Sequence, residues 1–355
     1  MKKVKIDTHH NYEVLIAPGL IDRAGDLIYD AVYKGHNAAN VKVLVVYNDD
    51  VRRYAAKLID SLGEKGFMIY PLEVPIGEET KDYVSAGAVL DFLVKNDFSR
   101  EDMAVSCGGG SISDVVGFMA SVYKRGMRLV HVPTTLLAMI DGAVGGKTAL
   151  NYGGAKNLVG SFYQPDLVIE DINVLKTVEG RNLRSGAGEL IKYGVLDKKI
   201  FYKLYSRVRV DNVEDLIYDC VKLKAKYVTE DEYDEGPRHL LNLGHTVGHA
   251  IETLSGYKTP HGIAVATGAL CVAHCMDKIY GTDSAAQIKR VLDIQGIITE
   301  IPYAADDILR MLKKDKKWAY GKLSLVVVHG IGDCRIQEFT PEELEEFLKG
   351  GMYAR

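Results

Sequence analysis

Apolar residues fall in short runs over the first half of the chain and in helical repeats over the second. Val43 to Tyr47 is an unbroken apolar run, which predicts a strand buried on both faces. Arg52 to Lys65 spaces its apolar residues about one turn apart and predicts an amphipathic helix. Phe67 to Val74 is strand-like, and Tyr83 to Lys95 again has helical periodicity. Met103 to Cys107 and Leu129 to Val132 are further short apolar runs, the second ending at Pro133. Strands alternating with helices predict βαβ units: a mostly parallel sheet with helices on both faces.

After about residue 172 helical patterns dominate: Gly186 to Tyr193, Ile200 to Tyr205, Val213 to Tyr227, Gly244 to Leu254, His261 to Tyr280 and Ser284 to Leu292. Lys322 to Val328 predicts a strand or hairpin arm. The change of texture places a domain boundary near Asp171, with an α/β domain over 1–171 and a mostly helical domain over 172–355. The length of 355 residues agrees with two domains.

Composition narrows the class. Lys plus Arg is 44 and Asp plus Glu is 48, a net charge of −4, which argues against a broad basic surface for nucleic acid. The five cysteines, Cys107, Cys220, Cys271, Cys275 and Cys334, show no CxxC spacing and read as reduced thiols of a cytoplasmic protein. The first residues lack the apolar core of a signal peptide, and no stretch reaches the roughly 18 uninterrupted apolar residues of a membrane span, so no membrane partner is expected.

Two segments carry chemistry. Gly108-Gly109-Gly110 follows a predicted strand and opens a helix, where free amides and the positive helix end favour a phosphate. Asp114 then falls in the first turn; the run is not GxGxxG, so the usual dinucleotide fingerprint is absent. Lys147, after Gly145 and Gly146, resembles the end of a phosphate loop, although Asp141 breaks the full pattern. The second segment places His245 and His249 one helical turn apart, with Glu252 on a similar face and His261 twelve residues beyond His249. Imidazoles with a carboxylate fit a catalytic zinc site, and Glu189 is the best candidate carboxylate; pairing with Lys192 at i+3 is its structural alternative. Thr246 stands where HExxH needs glutamate, which disfavours a zinc protease. Arg125, Lys147, Lys156, Lys192, Lys224, Arg238, Lys316 and Lys317 cluster around these segments and suggest an anionic substrate.

Together, GGGSISD, PTTLLAMID, VGGKT, GAKNLVG, GELIKYG, LNLGHTVGHAIE and HGIAVA resemble the 3-dehydroquinate synthases in order and spacing, most densely over 105–270. The resemblance implies an N-terminal Rossmann-like α/β domain, a C-terminal mostly helical metal-binding domain, bound NAD and one divalent metal, zinc or cobalt. It implies metal ligands Glu189, His245 and His261, with His249 moving a proton or orienting substrate. For substrate it implies Arg125, Asp141, Lys147, Asn157, Lys192, Lys224, Arg238, Asn242 and one of Lys316 and Lys317. For NAD it implies Glu78, Lys81, Gly108, Gly109, Gly110, Asp114, Thr134, Thr135, Lys156 and Thr177. The family converts 3-deoxy-D-arabino-heptulosonate 7-phosphate to 3-dehydroquinate and phosphate. Transient oxidation by NAD, phosphate elimination, reduction and aldol closure do this with no net redox change. The resemblance also implies a homodimer. The alternatives are another sugar-phosphate cyclase, of the 2-deoxy-scyllo-inosose or epi-valiolone synthase type, and a metal-dependent polyol dehydrogenase. Three segments depart from the family pattern: Asn48-Asp49-Asp50 exchanges amide and carboxylate, Ser113 replaces a glycine, and Ile263 replaces the acid of HGE.

Overall fold

The computed structural model describes residues 1–177, 180–299, 303–312, 318–319 and 321–352. The chain forms two compact units: Met1–Val178 with Val213–Tyr233, and Glu179–Asn212 with Asp234–Arg355.

The first unit carries β1 (Lys2–Ile6), β2 (Tyr12–Ala17), β3 (Lys42–Tyr47), β4 (Met68–Glu73), β5 (Met103–Gly108), β6 (Arg128–Pro133), β7 (Lys147–Tyr152), β8 (Ala155–Phe162) and β9 (Leu167–Asp171). Seven of them form a sheet in the order β1-β2-β9-β6-β5-β3-β4, while β7 and β8 pair as a separate antiparallel hairpin. β1 and β2 are antiparallel, and every other neighbouring pair in the large sheet is parallel. β5 and β9 are buried along their whole length, which explains why their apolar residues run together rather than alternate, with Ser106 in β5 and Glu170 and Asp171 at the end of β9 the exceptions.

Helices α1 (Ala24–Ile28), α2 (Arg52–Glu64), α3 (Tyr83–Lys95) and α4 (Gly110–Val122) accompany the sheet. Leu44, Val46, Val89, Leu93, Ala104, Val115, Val116 and Leu129 pack into one core from β3, β5, β6, α3 and α4. Each of the valine and leucine side chains contributes roughly 1.5–3 kcal/mol by burial. Side chains alternate along β3, so Val43 and Val45 face the other way; α2 lies against β3 and β4. β4 flanks β3 on one side and β5 on the other, so the winding reverses between β3 and β5. Ligands of parallel sheets bind beyond the carboxyl ends at such a reversal, and Asn48 and Gly108 stand there.

One buried histidine predicts a pH response. His131 on β6 is 4% exposed, and its Nδ1 lies 2.7 Å from the Ser106 hydroxyl. Burial pushes its imidazole down to about 4. An unfolded histidine binds a proton near pH 6.5, so between pH 6.5 and 4 the unfolded chain holds the extra proton. Stability is therefore fully present above pH 6.5 and falls by about 3 kcal/mol on acidification to pH 4. Denaturant titrations across that range should show this slope, and His131→Asn should flatten it; an equal slope in the variant would exclude His131 as its source.

The chain continues through α5 (Gly180–Leu196) and α6 (Lys198–Lys203) to α7 (Val213–Glu230). The change of texture near Asp171 coincides with the end of β9. α7, helical like its sequence neighbours, belongs by contact to the first unit: it lies beside β1 and β2 and buries Val213, Leu216, Ile217, Cys220 and Val221.

In the second unit follow α8 (His245–Leu254), α9 (His261–Tyr280), α10 (Ser284–Gln295) and α11 (Ala305–Leu312). β10 (Trp318–Ala319), β11 (Lys322–Gly330) and β12 (Asp333–Phe339) make a three-stranded antiparallel sheet, and α12 (Pro341–Met352) follows β12. α9 is long and apolar enough to span a membrane, but 67% of its apolar window is buried, the signature of a core helix. Its Cys271, Val272, Cys275 and Met276 pack with Ile308, Leu325, Val327 and Phe347.

Candidate functional site

Each unit carries one cluster of the residues singled out by sequence. In the first, the turn from β5 into α4 is set by glycines. A Cβ on Gly108 would run into the Ile112 side chain, and one on Gly109 would touch Thr135 at 3.4 Å. A Cβ on Gly110 would meet nothing within 4 Å, so this glycine keeps open space at the start of a thirteen-residue helix. Beside this turn Thr134 is buried, and its amide donates to the Gly108 carbonyl at 2.9 Å. The buried oxygens Thr134 Oγ1 and Asn48 Oδ1 find no hydrogen-bond partner among the described residues. Open space, a helix start and unmet buried acceptors fit a bound nucleotide.

The same helix leads into a polar network. Lys81, 4% exposed, donates to Asp114 at 2.6 Å and to the Asn157 side chain. Burial pushes the Asp114 carboxyl up to about 6, against the opposing pull of Lys81. Glu78 accepts from Ser111 at 3.2 Å and Asn151 at 2.8 Å. Sequence reasoning gave Asn157 to substrate and Glu78, Lys81 and Asp114 to cofactor; Lys81 joins the two groups, through contacts too distant in sequence for spacing to reveal. Asp114, Lys147, Thr148 and Asn157 line a cavity of about 320 Å³. Lys224, buried on α7, donates to the side chain and carbonyl of Asp141. Lys156 sits beside Asn157 on β8. Thr135 Oγ1 accepts from the Ala138 amide at 3.2 Å, and Thr177 Oγ1 lies 2.9 Å from the Tyr54 hydroxyl. Arg125 stands apart: it is exposed in a left-handed conformation (φ 63°) and lines another cavity with His10, Arg128 and Asp166. Lys316 and Lys317 lie outside the described residues.

The second cluster is built from α5, α8 and α9. Glycines let these helices approach more closely than any side chain would allow. A Cβ on Gly188 would collide with the Gly262 backbone, and one on Gly262 with the Ser185 carbonyl. A Cβ on Gly248 would stand 2.9 Å from the Ala264 carbonyl oxygen. Glu189 is thereby set facing His245 and His261. Gly262→Ala should cost at least about 1–3 kcal/mol, because backbone atoms cannot yield as a flexible side chain does. Thermal melting should fall and metal binding weaken together; an unchanged melting curve would contradict the close-packing argument.

Glu189 is fully buried. Its Oε1 lies 3.2 Å from His261 Nε2 and 3.6 Å from His245 Nε2, and its Oε2 lies 2.8 Å from Lys192 Nζ. The ligand reading and the salt-bridge reading of this residue thus coexist. Burial opposes the carboxylate charge, but Lys192, His245 and His261 outweigh it and hold Glu189 below the usual carboxylate range. Burial pushes the His245 imidazole well below its ordinary range, and its Nδ1 faces the Leu243 carbonyl at 3.2 Å, which turns Nε2 inward. Burial also opposes charge on His261, yet Glu189 and Glu252 push it up to about 10. His245, His249 and His261 each offer a nitrogen within 4.8 Å of the others. Glu189 thus has ion-pair contacts, and among the described residues no aligned hydrogen bond reaches either of its oxygens. A buried carboxylate so placed, with imidazole nitrogens converging on it, fits a divalent ion. In the same unit, Arg238 is 2% exposed on the turn Pro237–Asn242, which ends at Asn242. The sequence placed Glu252 on the histidine face but not its hydrogen bond to His261, which depends on how α8 and α9 pack.

Known proteins match this chain along most of its length. The 3-dehydroquinate synthase N-terminal family matches residues 71–185 and the corresponding C-terminal family 186–318. The 3-dehydroquinate synthase of Pyrococcus abyssi is 42% identical, over 85% of this chain and 91% of the relative. That of Desulforamulus reducens is 37% identical over 95% and 96%. Among solved structures, a 2-deoxy-scyllo-inosose synthase complexed with carbaglucose-6-phosphate, NAD+ and Co2+ aligns with a TM-score of 0.86, at 23% identity over 99% of this chain and 100% of the other. A 2-epi-5-epi-valiolone synthase from Streptomyces hygroscopicus with NAD+ and Zn2+ bound aligns at 0.83, with 23% identity over 98% of each. Those two likenesses show a shared fold, and the closer sequence matches show more: the chain belongs to the 3-dehydroquinate synthase family.

Proposed function

We propose that this chain converts 3-deoxy-D-arabino-heptulosonate 7-phosphate to 3-dehydroquinate and phosphate, using NAD and one divalent ion, zinc in the first instance. The observation that carries this reading is the match to relatives of that name over 85–95% of the chain. Glu189, His245 and His261 would hold the ion. Gly108, Gly109, Gly110, Asp114, Thr134, Thr135, Glu78, Lys81 and Lys156, within an NAD domain at 1–171, would hold NAD together with Thr177 just beyond it; the metal and substrate domain is 172–355, apart from α7, which belongs by contact to the first unit. When bound, NAD supplies a reversible hydride acceptor and the ion an electrophile for substrate oxygen.

The chain's own groups do the rest. Lys147, Lys192, Lys224 and Arg238 are assigned to the substrate's carboxylate and phosphate, with Asp141, Asn157, Asn242, Arg125 and one of Lys316 and Lys317 completing the set. Asp141 tethers Lys224 and so limits the positions its ammonium can take. His249 is assigned to proton transfer: its side chain is 44% exposed against 13% for His245, which leaves it the more open of the two to water. A homodimer in the cytoplasm belongs to the same proposal.

The test is phosphate release from the heptulosonate phosphate, with and without NAD and metal. Release that needs both, with no accumulation of NADH, is the expected result. Steady NADH formation from a simple polyol without phosphate release would instead favour a dehydrogenase.

A further inference from the structure

We propose that Glu252 is a positioning residue for the metal site: it fixes the ring of His261 so that Nε2 faces Glu189. The inference rests on the metal reading given above and deepens it.

Glu252 Oε2 lies 3.1 Å from His261 Nδ1, while His261 Nε2 lies 3.2 Å from Glu189 Oε1. The ring is thus held at both ends, with one nitrogen for each carboxylate. With Nδ1–H donating to Glu252, Nε2 is the nitrogen that faces Glu189, and a cation bound there would take the place of its proton. Glu252 is 5% exposed, so little water competes for that proton. It follows His245 and His249 at i+7 and i+3 on α8, which places all three on one side of the helix. Its backbone is pinned too: its carbonyl accepts from the Ser255 hydroxyl and the Tyr257 amide, each at 2.8 Å. The two histidines assigned as ligands are therefore oriented differently. His245 leans on a main-chain carbonyl, Leu243, which no substitution removes. His261 leans on a side chain, and Ile263 at the start of α9 offers no carboxylate in its place. A carboxylate behind a ligating imidazole fixes its tautomer and raises its basicity, and losing it lowers metal affinity about 10–100-fold.

Cobalt and zinc affinities of the full-length protein, measured by competition with a chelator, test this. E252A is expected to bind about 10–100-fold more weakly than wild type. E252Q, whose amide oxygen still accepts from Nδ1–H, should recover most of that loss. E252A within twofold of wild type, or E252Q no tighter than E252A, would overturn the proposal. A wild-type protein that binds neither ion would instead refute the underlying metal assignment. Should E252A fail to fold, the histidine-ring proton–nitrogen spectrum of the zinc-loaded protein decides. An exchange-protected ring N–H that shifts in E252Q is expected; identical spectra would overturn the role of Glu252.

Discussion

Replacing Lys147 by alanine is expected to lower kcat/KM for phosphate release about 10²–10³-fold, by removing a positioned cation, while leaving the melting temperature unchanged. Lys147 opens β7 on the exposed side and lines the cavity that also holds Asp114 and Asn157. An exposed side chain contributes within about 0.5 kcal/mol to stability, so a loss of turnover there reports on substrate. Arg238→Ala should lose comparable activity for a different structural reason. At 2% exposure its guanidinium is held charged inside the protein, and removing it strands whatever it pairs with. A stability loss of about 3–5 kcal/mol should accompany that change, so its kinetics need reading beside its melting curve. Wild-type kcat/KM in both variants would overturn the assignment of an anionic substrate.

Much of the architecture was legible because burial writes itself into composition. β3, β5 and β6 are buried along most or all of their length and appear as apolar runs, broken only by Ser106 and His131 in their interiors, and α3 coincides with its predicted span of Tyr83 to Lys95. One arm of the β11–β12 hairpin was legible at Lys322 to Val328, but the β7–β8 and β1–β2 hairpins were not. β8 is largely exposed, so its residues carry no alternation to read, and β1 at the sheet edge alternates lysine with apolar residues over only five positions. Nor could periodicity tell that α7 covers β1 rather than joining its helical neighbours, since an apolar stripe does not name the surface it buries. At the second cluster, the residue types and the spacing of His245 and His249 exposed the chemistry. The approach of α5, α8 and α9 depends on Gly188, Gly248 and Gly262, whose need for contact emerges only when the helices are packed.

Removing the divalent ion with a chelator is expected to abolish phosphate release, and zinc or cobalt should restore it. Glu189→Gln should remain at least about 10³-fold below wild type when either ion is added back. The sharper question is whether Glu189 serves a cation or only Lys192, which lies 2.8 Å away and is itself buried. A buried ion pair broken on one side is destabilised by about 3–5 kcal/mol, because the remaining charge is uncompensated, whereas replacing both partners by neutral groups is close to neutral. Glu189→Gln alone should therefore both melt early and bind zinc poorly. Combining it with Lys192→Met should recover the melting temperature. If Glu189 were merely the counter-ion of Lys192, zinc affinity would recover with it. If Glu189 is a ligand beside His245 and His261, the double variant is stable and still fails to bind zinc. Full turnover by exhaustively metal-free wild-type protein would refute the ligand assignment however the variants behave.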